Sequence, residues 1–356
     1  MPSLPTIIVT GGAGFIGSAL CRYLVRGGMA KVINIDALTY AANLSSLDSI
    51  KDASNYQFIE ADICDSEKVA EIFDEFKPDG IIHLAAESHV DRSITGAQEF
   101  IKTNVVGTSV MLDGALNYWR NLSASDATKA EAFKFLHVST DEVYGSLGAE
   151  GRFHETTAYD PNSPYSASKA ASDHLAIAWS RTYGLPVVIS NCSNNYGPYH
   201  FPDKLIPLII LNALRHKSLP IYGDGSNVRD WLYVDDHVKA LWTIWLKGKV
   251  GEKYNVGGRN ERTNLEVVEK VCSLMDKFSA CPPSDGHKSL ITYVTDRPGH
   301  DARYAIDASR LEDELGWKAE EDFDSGIRKT VEWYLANKEW WMPILDEKYD
   351  GERLGL

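Results

Sequence analysis

Thr6-IIVTGGAGFIGSALCRYL-Val25 decides the fold. Its first five residues are apolar or β-branched, as a buried strand requires. Ser18 to Val25 reads as a helix, and between the two, glycines at 11, 14 and 17 give a G-x-x-G-x-x-G spacing. Gly11 permits a tight turn, Gly14 lets the backbone approach an anion, and Gly17 lets helix and strand pack closely. An anion would rest on the unpaired N–H groups and the positive dipole of the helix N-terminus. A strand, a glycine turn and a helix in this order predict a Rossmann-type, doubly wound parallel α/β sheet that holds a dinucleotide pyrophosphate.

Working outward, Lys31-VINI-Asp36 supplies a second strand ending in an acid about twenty residues beyond the glycines. A carboxylate there accepts from the ribose hydroxyls of NAD and repels the extra phosphate of NADP. The chain continues Ala37-Leu38-Thr39 with no arginine, so NAD is the expected cofactor. Asp62, closing Tyr56-QFIEA-Asp62, is placed either to reach the adenine or as an ordinary turn aspartate. Ile81-IHLAAE-Ser88 reads as a strand running into a small-residue loop. Ala132-FKFLHV-Ser139 and Pro186-VVIS-Asn191 continue the alternation of strands and helices. Asn121-LSASDAT-Lys129 is polar and reads as a loop. Leu265-EVVEKVCSLMD-Lys277 has helical periodicity, and Cys281-PPSDG-His287 is a loop by composition.

The 356 residues suit two domains, and 44% apolar with 24% charged residues are ordinary globular values. A net charge of −14 argues against nucleic acid or an anionic membrane as partner. Five cysteines without a C-x-x-C pair suit core thiols in a reducing cytoplasm. The N-terminus enters a strand at once, so no signal peptide is expected, and no apolar run reaches membrane-span length. The histidines are scattered without metal-ligand spacing, so no metal site is expected.

Chemistry concentrates in His137-VSTDEVY-Gly145 and Tyr165-SAS-Lys169. Four apart, Tyr165 and Lys169 share one face of a helix, and an ammonium so close should lower the phenol's pKa from about 10. The phenolate would then serve as a general base. Thr140 adds a hydroxyl, and Asp141 and Glu142 add two adjacent carboxyls. Neighbours on a strand point opposite ways, so the strand should turn irregular where this pair begins.

With these residues in hand, the chain resembles the extended short-chain dehydrogenase/reductase superfamily and, within it, the dTDP-glucose 4,6-dehydratases. The resemblance runs almost end to end. It is carried by the glycine turn, Asp36-ALT-Tyr40, Leu84-AAESHVDR-Ser93, the Thr140-Asp141-Glu142 triplet, Tyr165-SAS-Lys169, Asn191-CSNNYGP-Tyr199, Arg229-DWLYVD-Asp236 and Asp296-RPGH-Asp301. It implies a redox-neutral cycle. Tyr165 takes the C4 hydroxyl proton as hydride passes to NAD, Lys169 lowers the tyrosine pKa and holds the nicotinamide ribose, and Thr140 bonds the C4 oxygen. Glu142 removes the C5 proton, a protonated Asp141 releases the C6 hydroxyl as water, and hydride returns to C6. Adjacency alone does not divide the work between Asp141 and Glu142.

The resemblance further implies cofactor contacts at Gly11, Gly14, Phe15, Ile16, Gly17, Asp36, Ala37, Leu38, Thr39, Asp62, Ile63, Leu84, Ala85, Ala86, Ser88, Thr103, Tyr165, Lys169 and Asn195. It implies nucleotide-sugar contacts at Ser88, Thr140, Asn194, Lys204, Leu205, Pro220, Ile221, Tyr222, Arg229, Asn264, Asp296, Arg297, His300 and Tyr349. Arg229 and Lys204 are the chemically sensible diphosphate partners. An NAD-binding domain over 1–193 and about 228–258 would be joined by a smaller, mostly C-terminal α/β nucleotide-sugar domain over 194–227 and about 259–356. A homodimer is implied, with the Tyr165 helix and Thr103-NVVG-Thr108 forming a four-helix bundle with a second copy. A UDP- or GDP-sugar 4,6-dehydratase, a 4-epimerase and a non-catalytic NAD(H)-binding module stay open as alternatives. An epimerase shares the Tyr165/Lys169 pair but not the Asp141-Glu142 pair, which argues against it, and the intact Tyr165, Lys169, Asp141 and Glu142 argue against the binding module.

Overall fold

The computed structural model describes residues 4–347 and 349. Seven strands form one parallel sheet in the order β3-β2-β1-β4-β5-β6-β10. They are β1 (Thr6–Thr10), β2 (Lys31–Asp36), β3 (Tyr56–Glu60), β4 (Gly80–His83), β5 (Lys134–Thr140), β6 (Val187–Cys192) and β10 (Lys253–Val256). Alternation along β1 explains the two apolar layers: Ile7 and Val9 enter one and Ile8 the other. Each such buried side chain contributes roughly 1.5–3 kcal/mol. The strand order reverses between β1 and β4, which opens a crevice beyond the carboxyl ends of these strands.

A third apolar cluster lies apart from the sheet. It is rich in aromatics, including Tyr196, Trp231, Tyr334, Trp340 and Trp341. Around it run β7 (Asn194–Tyr196), β9 (Val228–Tyr233) and β11 (Glu261–Thr263), and a parallel pair of β8 (Leu219–Tyr222) and β12 (Ile291–Val294). The helix expected near 265–277 spans Asn264–Phe278 and starts at Thr263, which exchanges side-chain bonds with Glu266 in a capping box. Residues 281–286 carry no helix or strand.

Two local expectations change. The stretch 121–129 is helical, not a loop: one helix runs through Ser125 and a second, Ala127–Ala132, begins at once. Asp126 caps the second by accepting from the Lys129 N–H, and the Trp119 indole donates to Ala130 O. The polar residues there are the solvent face of a helix. Thr103 to Gly107 is not an α-helix but the end of a π-helical turn, Ile101–Gly107. That wider turn carries Asn104 inward, where its amide donates to Glu87 O and Ser168 Oγ and accepts from Glu87 N.

Candidate active site

A cleft of about 560 Å³ lies beyond the carboxyl ends of the sheet and reaches the aromatic region. On its cofactor side, Gly11 has a φ of +72°, and a Cβ there would come within 2.8 Å of the Ala85 backbone. A Cβ at Gly17 would lie 2.1 Å from Gly11 O. The helix Phe15–Arg26 starts at Gly14 with no side-chain cap, leaving its first-turn N–H groups to an external anion. Phe15 stacks on His200 with ring centroids 4.1 Å apart, joining the glycine turn to the second region.

Asp36 ends β2 with one oxygen accepting from Ala13 N at 2.9 Å and the other from Leu38 N at 2.8 Å. Burial raises its carboxyl pKa and these N–H groups oppose that. Each oxygen retains a lone pair for a ribose hydroxyl, and no cation among the described residues pairs with it. The donor set therefore fits a dinucleotide without a 2′-phosphate. Ile16, Ala37, Thr39, Asp62, Ile63, Leu84, Ala85, Ala86, Ser88, Thr103 and Asn195 line the same cleft. Leu38 does not: its side chain packs on the apolar layer, and its N–H fixes Asp36. The left-handed φ of 52° at Leu38 turns that N–H back to the carboxylate.

On the reactive side, β5 ends at Thr140 and a 3-10 turn takes Asp141 to Tyr144, the irregularity the adjacent carboxyls required. Thr140 Oγ1 accepts from Glu142 N at 3.3 Å. Gly145 ends the turn at φ +85°, where a Cβ would lie 2.4 Å from Asp160 O. Tyr165 and Lys169 lie on the helix Pro164–Tyr183, begun by a Ser163/Ser166 capping box with proline at its first position. All five of these side chains line the cleft.

The electrostatics separate the two carboxyls. Burial raises Asp141 well above the usual carboxylate range, and the charges of Glu142 and Asp230 push the same way. Glu142 is also raised by burial, but Arg297 and Arg229 pull it back. Of the two carboxyls, Asp141 is therefore the one whose surroundings favour the protonated form more strongly. The expected depression of Tyr165 by Lys169 is absent. Burial raises the phenol well above 10, with Glu142 next, while the Thr140 hydroxyl lowers it. Lys169 points its Nζ at Val138 O, 2.9 Å away, and burial lowers its own pKa. Spacing on a helix put the two on one face, but the end of the lysine is claimed by the strand beneath.

Asn194, Lys204, Leu205, Pro220, Ile221, Tyr222, Arg229, Asn264, Arg297 and His300 line the rest of the cleft. Arg229 is buried and donates to Val228 O at 2.7 Å and Asp301 O at 2.9 Å, with its guanidinium 4.2 Å from the Tyr304 ring centroid. Its charge meets no carboxylate within ion-pair distance among the described residues, so it remains available to an anion. Arg297 is different, since Asp91 Oδ1 pairs with it at 2.7 Å and Tyr222 donates to Asp91 Oδ2. Two expected contacts fall outside the cleft. Asp296 is spent on Arg297 N and His300 Nδ1, and Tyr349 packs on Phe201 in the aromatic cluster. Sequence reasoning missed Asp91, His200 and Tyr304. Asp91 sat inside the Leu84–Ser93 motif, whereas nothing local marked the other two.

The fold and this site define an NAD-binding enzyme of the extended short-chain dehydrogenase/reductase class that acts on sugar nucleotides. The family model described as GDP-mannose 4,6 dehydratase matches residues 8–330, and the chain belongs to that family. A relative from Sinorhizobium fredii, named "Probable dTDP-glucose 4,6-dehydratase", is 66% identical over 350 residues, covering 98% of each chain. The dTDP-glucose 4,6-dehydratase of Bacillus anthracis, solved in complex with NAD, is 46% identical with a TM-score of 0.84 and covers 96% of this chain and 99% of its own. DesIV, the dTDP-glucose 4,6-dehydratase of Streptomyces venezuelae solved with NAD and TYD bound, is 43% identical with a TM-score of 0.85, covering 95% of this chain and 99% of its own.

Proposed function

We propose that this protein is an NAD-dependent hydro-lyase that converts dTDP-glucose to dTDP-4-keto-6-deoxyglucose. One observation carries the chemistry: buried Thr140 and Asp141 and half-buried Glu142, at the end of β5, line one cleft with Tyr165 and with the glycine turn. The choice of nucleotide and sugar rests on the named relatives. NAD would supply a reversible two-electron store, taking hydride from C4 of the sugar and returning it to C6.

The chain's own residues would do the rest. Tyr165 accepts the C4 hydroxyl proton, and Thr140 orients the oxygen that becomes the ketone. Because burial and Glu142 hold the free phenol protonated, the tyrosine must become a base only in the loaded site, where the Lys169 ammonium on the same helix face would favour its phenolate. The ketone acidifies C5. Glu142, restrained from protonation by two guanidinium groups, takes that proton and returns it to C5 when C6 receives hydride. Asp141, held neutral, gives its proton to the departing C6 hydroxyl, and water leaves. Arg229 and Lys204 hold the diphosphate against a chain of −14 net charge.

We further infer a homodimer in the cytoplasm. No helix among the described residues is long and apolar enough to cross a membrane. Ile101, Val106 and Tyr183 are exposed on the turn and helix expected to form the bundle, a face that a second copy would cover. Light scattering at low micromolar protein should give twice the chain mass, and a monomer mass overturns this.

The reaction is tested with substrate deuterated at C4. Product should be lighter by one water and carry the label at C6 of the same molecule, with no net consumption of NAD. Reduced cofactor accumulating in step with product would leave a simple dehydrogenase instead. UDP-glucose and GDP-mannose in parallel test the base preference.

A further inference from the structure

Beneath the reactive residues lies a carboxylate that the proposed reaction leaves unused. Asp173 follows Lys169 by one helical turn, so Tyr165, Lys169 and Asp173 fall on one helix face. Its side chain is fully buried. It accepts from Tyr159 OH at 2.7 Å, from Asn191 Nδ2 at 3.2 Å and from His137 Nε2 at 3.1 Å. A carboxylate only accepts, so the proton of this neutral imidazole sits on Nε2. Asn191 Nδ2 also donates to Thr140 O at 3.1 Å, tying the carboxylate to the strand end that carries the reactive turn.

Burial raises the Asp173 carboxyl, but His137, the Lys169 charge and the Ser139 hydroxyl together bring it below the usual carboxylate range. The groups facing it are His137 and Ser139 from β5, Asn191 from β6, Tyr159 and Tyr144 from the intervening segment, and Lys253 from β10. Lys169 and Ser172 face it from its own helix. Among them only Lys169 and Lys253 are cations, and Lys253 stands behind the Tyr159 ring, 4.7 Å from its centroid. Lys169 is buried at the cleft wall, bonded to a neutral carbonyl, and has no carboxylate within ion-pair distance among the described residues. Asp173 is the carboxylate that favours its ammonium.

We propose that Asp173 is a positioning residue: its buried negative charge keeps Lys169 protonated, and its hydrogen bonds through Asn191 fix the backbone at Thr140. This rests on the reading of Tyr165 and Lys169 as the proton-handling pair. Without the Asp173 charge the ammonium stands unbalanced in the core, loses its proton at lower pH, and no longer stabilises the Tyr165 phenolate of the loaded enzyme.

Two measurements test it. The first uses the purified protein without substrate and compares melting of Asp173→Asn, Lys169→Met and the double variant. The double variant should melt above Asp173→Asn alone, because the unbalanced ammonium is gone. Should Asp173→Asn not fold at all, a folded double variant supports the proposal, and an unfolded double beside a folded Lys169→Met overturns it. Strictly additive losses also overturn it. The second is the pH profile of kcat. In Asp173→Asn its acid limb should move up by about one pH unit or more, with KM and NAD content unchanged. Tyr159→Phe, which removes a hydrogen bond but no charge, should leave the limb in place. A downward shift, no shift, or an equal shift in Tyr159→Phe sinks the charge assignment. Wild-type protein that forms no product from dTDP-glucose would instead count against the dehydratase reading and leave the melting comparison standing.

Discussion

Asp141 and Asp173 are both buried and both lie close to the end of β5, yet their surroundings push their pKa values in opposite directions. Asp141 has one long bond from the Thr140 hydroxyl, at 3.4 Å, and a second oxygen with no partner, and the charge of Glu142 is adjacent. Asp173 receives donors from three directions and has an ammonium on its helix face. Burial costs both carboxylates their hydration, and the donors decide which one keeps its charge. One site is thereby a store for a proton and the other a fixed negative charge.

The largest effects should come from the reactive turn itself. Tyr165→Phe should stop turnover before any reduced cofactor forms. Glu142→Gln should lower turnover by about 10²–10⁴-fold with reduced cofactor building up on the enzyme, because oxidation at C4 survives and elimination stalls. Near-normal turnover in Glu142→Gln would remove it as the C5 base.

The same substitution at the two aspartates sharpens the contrast. Asp141→Asn replaces a neutral acid by a neutral amide, so urea unfolding should change by less than about 1 kcal/mol while activity falls. Asp173→Asn turns an amide N–H₂ toward existing donors and should cost on the order of 3 kcal/mol. Equal stability losses would mean that the two carboxyls are in the same state.

Arg229→Ala comes next. Losing one charge-assisted phosphate contact costs about 1.5–3 kcal/mol, so KM for dTDP-glucose should rise roughly ten- to a hundredfold with bound NAD retained. Lys249→Ala, at a side chain 67% exposed and paired with Glu314, should leave KM unchanged. Small, equal effects at both would remove Arg229 from the diphosphate.

The smallest effect concerns His237, whose Nδ1 meets Asn195 Oδ1 at 2.8 Å at the cleft wall. Burial lowers its pKa to about 3. The unfolded chain takes up this proton near pH 6.5 and the folded one does not, so its contribution is complete above about 6.5 and shrinks as pH falls. Between pH 7.5 and 5 the loss should approach ~2 kcal/mol, and the unfolding free energy of wild type relative to His237→Gln, from urea titrations, should fall by that amount. A difference independent of pH would mean that His237 titrates freely in the folded state.

Much of this was legible in the chain itself. Gly11, Gly14 and Gly17 act through backbone that a Cβ would obstruct, and Asp36 bonds to the Leu38 N–H two residues on, so local sequence determined most of the cofactor cradle, while the Asp36 bond to Ala13 N, 23 residues away, needed the paired strands. Side-chain period determined the strands and placed Tyr165 and Lys169 on one helix face. What those side chains touch was decided elsewhere. Lys169 turned to Val138 O, Tyr349 joined the aromatic cluster, and Asp91 came to Arg297 from 206 residues away. The division between Asp141 and Glu142 also came from afar, through guanidinium groups on β9 and on the segment after β12. Sequence sets backbone conformation and facing through short-range sterics, but a buried charge takes its state from every dipole and ion around it, and only the folded chain brings those together.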